Sequence, residues 1–144
     1  MPTKSKNQNS TKWIISAVVI VVLITVALIF VLGRGSEAEA LSANISVSEA
    51  ASRFKNGAFL LDVRQPEEWA QAHIDGAVLI PLGELQSRLS EIPTDRDVLI
   101  ICRSGNRSSQ ARDILRAAGF ERTTSIVGGM NGWIADGLPV VTGN

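Results

Sequence analysis

The stretch VLIICRSGNRSSQAR, Val98 to Arg112, sets the one cysteine of the chain between an aliphatic run and a cluster of glycine, serine and arginine. A cysteine at the margin of a strand can be no more than a small buried hydrophobe. Its neighbours here argue for reactivity. Gly105 permits a tight bend, Arg103 and Arg107 bring cations, and a helix expected over Ser108 to Ala118 turns its free N-terminal amides back toward the loop. Backbone donors, positive side chains and a helix start are the surroundings that stabilise a thiolate, and the same cradle would hold an anionic substrate. A cation is not favoured at a helix start, so Arg107 needs an anion close by. The thiolate, a bound substrate and Asp62 are the three possibilities.

The elements that must position this loop follow from the pattern around it. Ser46 and Glu49 fit a capping box ahead of a helix carrying Ala50, Ala51 and Phe54 on one face, which Gly57 ends. Ala58 to Val63 reads as a buried strand with Asp62 at its exit and Arg64 just beyond. Pro66 opens a further helix, where Glu67 and Glu68 suit the positive end of the dipole. Ala77 to Ile80 is a short strand ended by Pro81, and Leu82, Leu85 and Leu89 repeat at helical intervals before Pro93. The run VLII within Asp97 to Ile101 is the strongest strand signal. The helix after Cys102 turns Ala111, Ile114, Leu115 and Ala118 to the core and stops at Gly119. Thr123 to Val127 is a β-branched strand, followed by a glycine turn and a short helix over Asn131 to Ala135. Apolar strands without clean alternation, separated by helices, imply a parallel sheet covered on both faces. Ligands of such sheets lie beyond the carboxyl ends of the strands, where Asp62, Arg64 and Cys102 all fall.

Composition narrows the function. With a single cysteine the chain can form no internal disulfide, no cysteine-rich metal site and no dithiol relay. Its formal net charge of 0 conceals an asymmetry: Lys4, Lys6 and Lys12 are the only charged residues before a long apolar run, and all 14 acidic residues follow it. No basic patch or aromatic platform suggests a nucleic-acid partner. Trp13 to Leu32 carries no charge and no proline. Twenty such residues make about 30 Å of helix, the thickness of a bilayer's hydrocarbon core. Residues 1–12 therefore read as a cytoplasmic tail, 13–32 as a transmembrane helix, 33–43 as a linker and 44–144 as the folded domain. Cleavage after the Ala-x-Ala pattern at Ala38 to Ala40 is the rival reading, but the run exceeds a typical signal-peptide core. Three lysines before the span against Arg34 after it place the domain on the extracytoplasmic side of the cell membrane.

The blocks LLDVRQPEEWAQAHIDGAVLIP, ICRSGNRS and GGMNGW, in this order and spacing, resemble the rhodanese family of sulfurtransferases across about Ile45 to Pro139. The resemblance implies an α/β rhodanese-like sandwich with a central five-stranded parallel sheet. It implies that Cys102 is the catalytic cysteine, taking a sulfane sulfur from thiosulfate or a related small anionic donor and passing it to a thiol or cyanide-like acceptor. Arg103, Ser104, Gly105, Asn106 and Arg107 then form the active loop around the persulfide, with Asp62, Arg64 and Ser108 in support. Arg64 is at least as well suited to a structural ion pair as to substrate contact. No cofactor and no metal enter this chemistry, and a protein thiol is a possible acceptor. Family members usually carry glycine where Ala72 stands, which bears on the turn before His73 and Ile74. His73 is expected to be structural, Trp69 and Trp133 to pack against the core, and Gly128, Gly129 and Gly132 to make a turn and close packing. Two alternatives stand beside this reading. One is a catalytically silent, membrane-tethered binding module. The other is a cysteine phosphatase or arsenate reductase, which the spacing opposes: those enzymes have Cys-x5-Arg, and here Ser108 occupies the position of that arginine.

Overall fold

A computed structural model describes residues 14, 18–23, 25 and 41–143. The chain divides into two units, and the sheet with its helices belongs to the second, Ala40–Asn144. Among the described residues no helix is long and apolar enough to cross a membrane. The expected span at 13–32 and linker at 33–43 lie for the most part outside the described residues.

Five parallel strands form one sheet in the order β1-β5-β4-β2-β3: β1 (Asn44–Ile45), β2 (Phe59–Asp62), β3 (Val78–Leu79), β4 (Val98–Ile101) and β5 (Thr123–Ile126). Between and after them lie α1 (Val47–Lys55), α2 (Pro66–Gln71), α3 (Asn106–Ala117) and α4 (Gly129–Ala135). Strand side chains alternate between faces. Leu60, Leu99, Ile101 and Ile126 therefore build one core with Ala50, Met130 and Trp133 from α1 and α4. Leu61, Val98, Ile100 and Cys102 build the other with Ala111 and Leu115 from α3. Each fully buried aliphatic side chain contributes about 1.5–3 kcal/mol of transfer free energy. The register aligns Asp62 with Ile101 and Ile100 with Ser125, so the ends of β2 and β4 open at one level and Ser125 shares a face with Cys102.

Several local expectations change. The Ser46 hydroxyl accepts the Glu49 amide, but the Glu49 carboxylate turns away to Arg53, so only half of the capping box forms. Leu82, Leu85 and Leu89 lie on two 3₁₀ helices, Leu82–Ser87 and Leu89–Glu91, rather than on an α-helix. Leu82 and Leu85 are three residues apart, which matches three residues per turn, and the backbone breaks at Arg88. The helix after Cys102 begins at Asn106, two residues before the expected start, because Gly105 takes φ 109° and turns the chain into it at once. Ala118, expected in the core, is exposed beyond the helix end. Ala72 has φ −165°, extended backbone open to any residue, so its β-carbon introduces no strain.

Candidate active site

Cys102 follows the last residue of the central strand and is only 1% exposed. Its Sγ accepts the Gly105 amide at 3.1 Å and lies 3.6 Å from the Ser108 hydroxyl. Burial alone would push the thiol pKa up. The Ser108 hydroxyl and the amides of Ser108, Gly105 and Ser104 outweigh it, so the pKa lies below a cysteine's ordinary value. The stabilising groups are thus hydrogen-bond donors around the sulfur; the cations of Arg103 and Arg107, which the sequence sets beside them, are not among the main groups that lower this pKa. No titratable side chain among the described residues hydrogen-bonds to the sulfur.

The loop presents its amides inward because its carbonyls are held from the opposite side. The amides of Met130 and Asn131, in the first turn of α4, donate to the carbonyls of Cys102 and Arg103 at 2.8 and 3.0 Å. This contact demands glycine at position 129: its φ is 54°, and a β-carbon there would overlap the Cys102 carbonyl and lie 2.9 Å from the Arg103 backbone. The GGMNGW block is therefore close packing, as expected, and its packing partner is the loop that carries Cys102. Trp133 is buried and donates to the Pro139 carbonyl. Trp69 differs from expectation: it belongs to neither core and stacks on His73 with ring centroids 3.8 Å apart. His73 contacts the Trp69 carbonyl through Nδ1 and pairs its backbone with Val141, which is a structural role.

The two loop arginines separate. Arg103 is exposed and its guanidinium has no hydrogen-bond or ion-pair partner among the described residues. Arg107 is committed: Nη1 and Nη2 donate to the two carboxylate oxygens of Glu68 at 2.6 and 2.8 Å. The anion required beside Arg107 is therefore Glu68, not Asp62. Asp62 is occupied by Arg64, accepting from its backbone amide, Nε and Nη2 at 2.6–3.0 Å, with Asp62 fully buried and Arg64 4% exposed. Arg64 extends on to the carbonyls of Glu68 and Ala72. Four of its five side-chain donors are engaged with Asp62 and these carbonyls, fastening α2 to the end of β2, so it is a structural clamp. Ser104 on the loop and Asn106 at the start of α3 are exposed, and Ser108 is fully buried against Ser125, its Oγ 2.7 Å from the Ser125 Oγ. Glu68 and Ser125 were not singled out in the sequence as site residues. The only signal for Glu68 was the unexplained cation at a helix start, and for Ser125 a serine inside a strand otherwise β-branched. Among the described residues no three His, Cys, Asp or Glu side chains cluster as a metal site.

Two outcomes follow from this geometry. Gly129→Ala must displace the backbone of Cys102 and Arg103, and it should cost at least about 2 kcal/mol in urea unfolding while slowing alkylation of Cys102 in whatever fraction folds. The second concerns acid. Hydrogen bonding from Arg107, outweighing burial and aided by the Gln65 amide, lowers the Glu68 pKa from 4.5 to about 2. A depressed carboxylate pKa stabilises the fold fully above its unfolded value and less as pH falls through the folded one. With each side chain 29% exposed, the contribution is on the order of 2 kcal/mol after solvent screening. The stability gap between wild type and Glu68→Gln, measured by urea unfolding, should narrow progressively from about pH 5 to about pH 3.

Comparison with known proteins bears on the family of the domain. The family model for the Rhodanese-like domain matches residues 46–136. A sulfurtransferase of Allochromatium vinosum is 46% identical over 82 residues, covering 57% of this chain and 77% of that protein. Thiosulfate sulfurtransferase 16, chloroplastic, of Arabidopsis thaliana is 33% identical over 116 residues, covering 72% of this chain and 97% of that one. The crystal structure of a rhodanese-related protein from Thermoplasma volcanium superposes with a TM-score of 0.64 at 32% identity, over 68% of this chain and 96% of that one. A cysteine held by loop amides at the end of the central strand of a five-stranded parallel sheet, together with these matches, makes the chain a member of the rhodanese-like domain family.

Proposed function

We propose that the protein is a sulfurtransferase that carries sulfane sulfur on Cys102. The observation that supports this most directly is the Cys102 sulfur, held by the Gly105 amide at 3.1 Å and by the neighbouring donors that lower its pKa. With thiosulfate as donor, the thiolate attacks the outer sulfur, a new S–S bond forms, and the donor's S–S bond breaks with its electron pair leaving on sulfite. The Cys102 persulfide remains. A thiol or cyanide then attacks the outer sulfur and the electron pair returns to Cys102 as thiolate. This is covalent catalysis in two displacements, with a nucleophile activated by its surroundings and no separate base. The inward amides can accept the negative charge that the persulfide carries in its turn. Arg103, the exposed cation on the loop, suits the approach of an anionic donor. Arg107 serves the reaction by bracing α3 and the loop against α2 through Glu68 rather than by a free charge.

The proposal extends to the N-terminal segment. Residues 13–32 anchor the protein in the cell membrane as a single span, with the N-terminus cytoplasmic and the sulfur-carrying domain on the extracytoplasmic side. The uncharged run Trp13 to Leu32 and the preceding lysines support this. A persulfide so placed is open to oxidation, which favours a protein thiol close by as acceptor.

Two measurements test the function and the placement. Intact mass of the reduced 144-residue chain after thiosulfate should rise by one sulfur atom in wild type and not in Cys102→Ser; folded wild type without the gain would remove thiosulfate as donor. Protease added to intact cells should digest the domain as it digests known outward-facing domains, and protection until lysis would reverse the orientation.

A further inference from the structure

Behind the sulfur lies a group of hydroxyls that the displacement steps above do not use. The Ser108 hydroxyl has three neighbours: the Gly105 carbonyl at 2.9 Å, the Ser125 hydroxyl at 2.7 Å and the Cys102 sulfur at 3.6 Å. Ser108 and Ser125 are 0% and 1% exposed, so protein groups rather than bulk water must satisfy them. A hydroxyl has one proton to donate. While Cys102 is a thiol, its S–H donates to the Ser108 oxygen and Ser108 donates to the Gly105 carbonyl. When Cys102 loses its proton, the sulfur becomes an acceptor only, and the arrangement must change.

The surroundings allow that change without orphaning a polar group. The Gly105 carbonyl also accepts the Ser109 hydroxyl at 3.0 Å and the Ser109 amide at 3.1 Å, so it can release the Ser108 proton. Ser125 can donate to the Ser108 oxygen across 2.7 Å, polarising the hydroxyl that turns to the sulfur. The Ser109 hydroxyl has one proton, and where it turns to the Ser125 oxygen at 3.4 Å the Gly105 carbonyl keeps the Ser109 amide. We propose that Ser125 is a positioning residue for the nucleophile: it holds the Ser108 hydroxyl so that its proton turns from the Gly105 carbonyl to the Cys102 sulfur when that sulfur is negatively charged. Ser125 reaches this place through register. It sits opposite Ile100 on β5, on the face that also carries Cys102.

This inference rests on Cys102 reacting as a thiolate, so its test reads the thiolate separately from sulfur transfer. The charged groups on the elements around the sulfur are Arg103 on the loop, Arg107, Arg112, Asp113 and Arg116 on α3, Glu67 and Glu68 on α2, Asp62 and Arg64 at the end of β2, and Glu84 on the first 3₁₀ helix; α4 carries none. All are retained in the variants used. Iodoacetamide alkylation of the whole chain is followed against pH in wild type, Ser125→Ala, Ser108→Ala and Ser125→Thr, with folding checked by thermal unfolding. The alkylation midpoint should rise by about one pH unit in Ser108→Ala and by about half a unit or more in Ser125→Ala, slowing the reaction roughly three- to tenfold at neutral pH. Ser125→Thr, which keeps the hydroxyl, should restore the wild-type midpoint. An unchanged midpoint in folded Ser125→Ala, or a rate lowered equally at every pH, would overturn the role. A displaced midpoint in a wild-type background that takes no sulfur from thiosulfate would leave this inference standing and remove the thiosulfate reaction instead.

Discussion

The cradle around Cys102 depends on which way a few peptide groups point. Each peptide carries a donor on one side and an acceptor on the other, so amides can face the sulfur only if the carbonyls find donors elsewhere. Here the first turn of α4 supplies them, with Met130 and Asn131 holding the carbonyls of Cys102 and Arg103. The free amides of one helix start thereby orient the loop that leads into another. Gly128 and Gly129 are the cost of that close approach in sequence terms, since the chain at Gly129 has no room for a side chain and takes positive φ.

A second constraint links charge to architecture. Asp62 at the end of β2 is buried with Arg64, Arg64 fastens the carbonyls of Glu68 in α2 and of Ala72 just beyond it, and α2 presents Glu68 to Arg107 in the first turn of α3. Each member satisfies the next. Removing one would leave a buried or half-buried charge without its partner, which is costlier than never having had the pair. Two of the three arginines near the mouth are thereby neutralised by neighbouring carboxylates, and Arg103 alone keeps an uncommitted guanidinium among the described residues. Stabilisation of negative sulfur falls chiefly to neutral donors, the amides and the Ser108 hydroxyl, which act at contact distance.

The local pattern of the chain determined a good deal by itself. Uninterrupted apolar runs such as VLII marked buried parallel strands, Pro66 and Gly57 marked a helix start and stop, and the cysteine-led loop with its glycine marked the bend between the central strand and α3. These are signals of nearest neighbours and of periodicity, which act within a few residues. Errors fell where short-range signals compete: Glu49 chose Arg53 over the cap amide, and leucines three apart settled on a 3₁₀ helix. What only the tertiary structure decided was who meets whom. Glu68 lies 39 residues from Arg107 and Ser125 lies 17 from Ser108. They meet because the strands assemble as β1-β5-β4-β2-β3, an order that differs from the sequence and sets β5 on one side of Cys102 and β2 on the other. Periodicity tells which face of an element is buried; it carries no information about which other element will bury it.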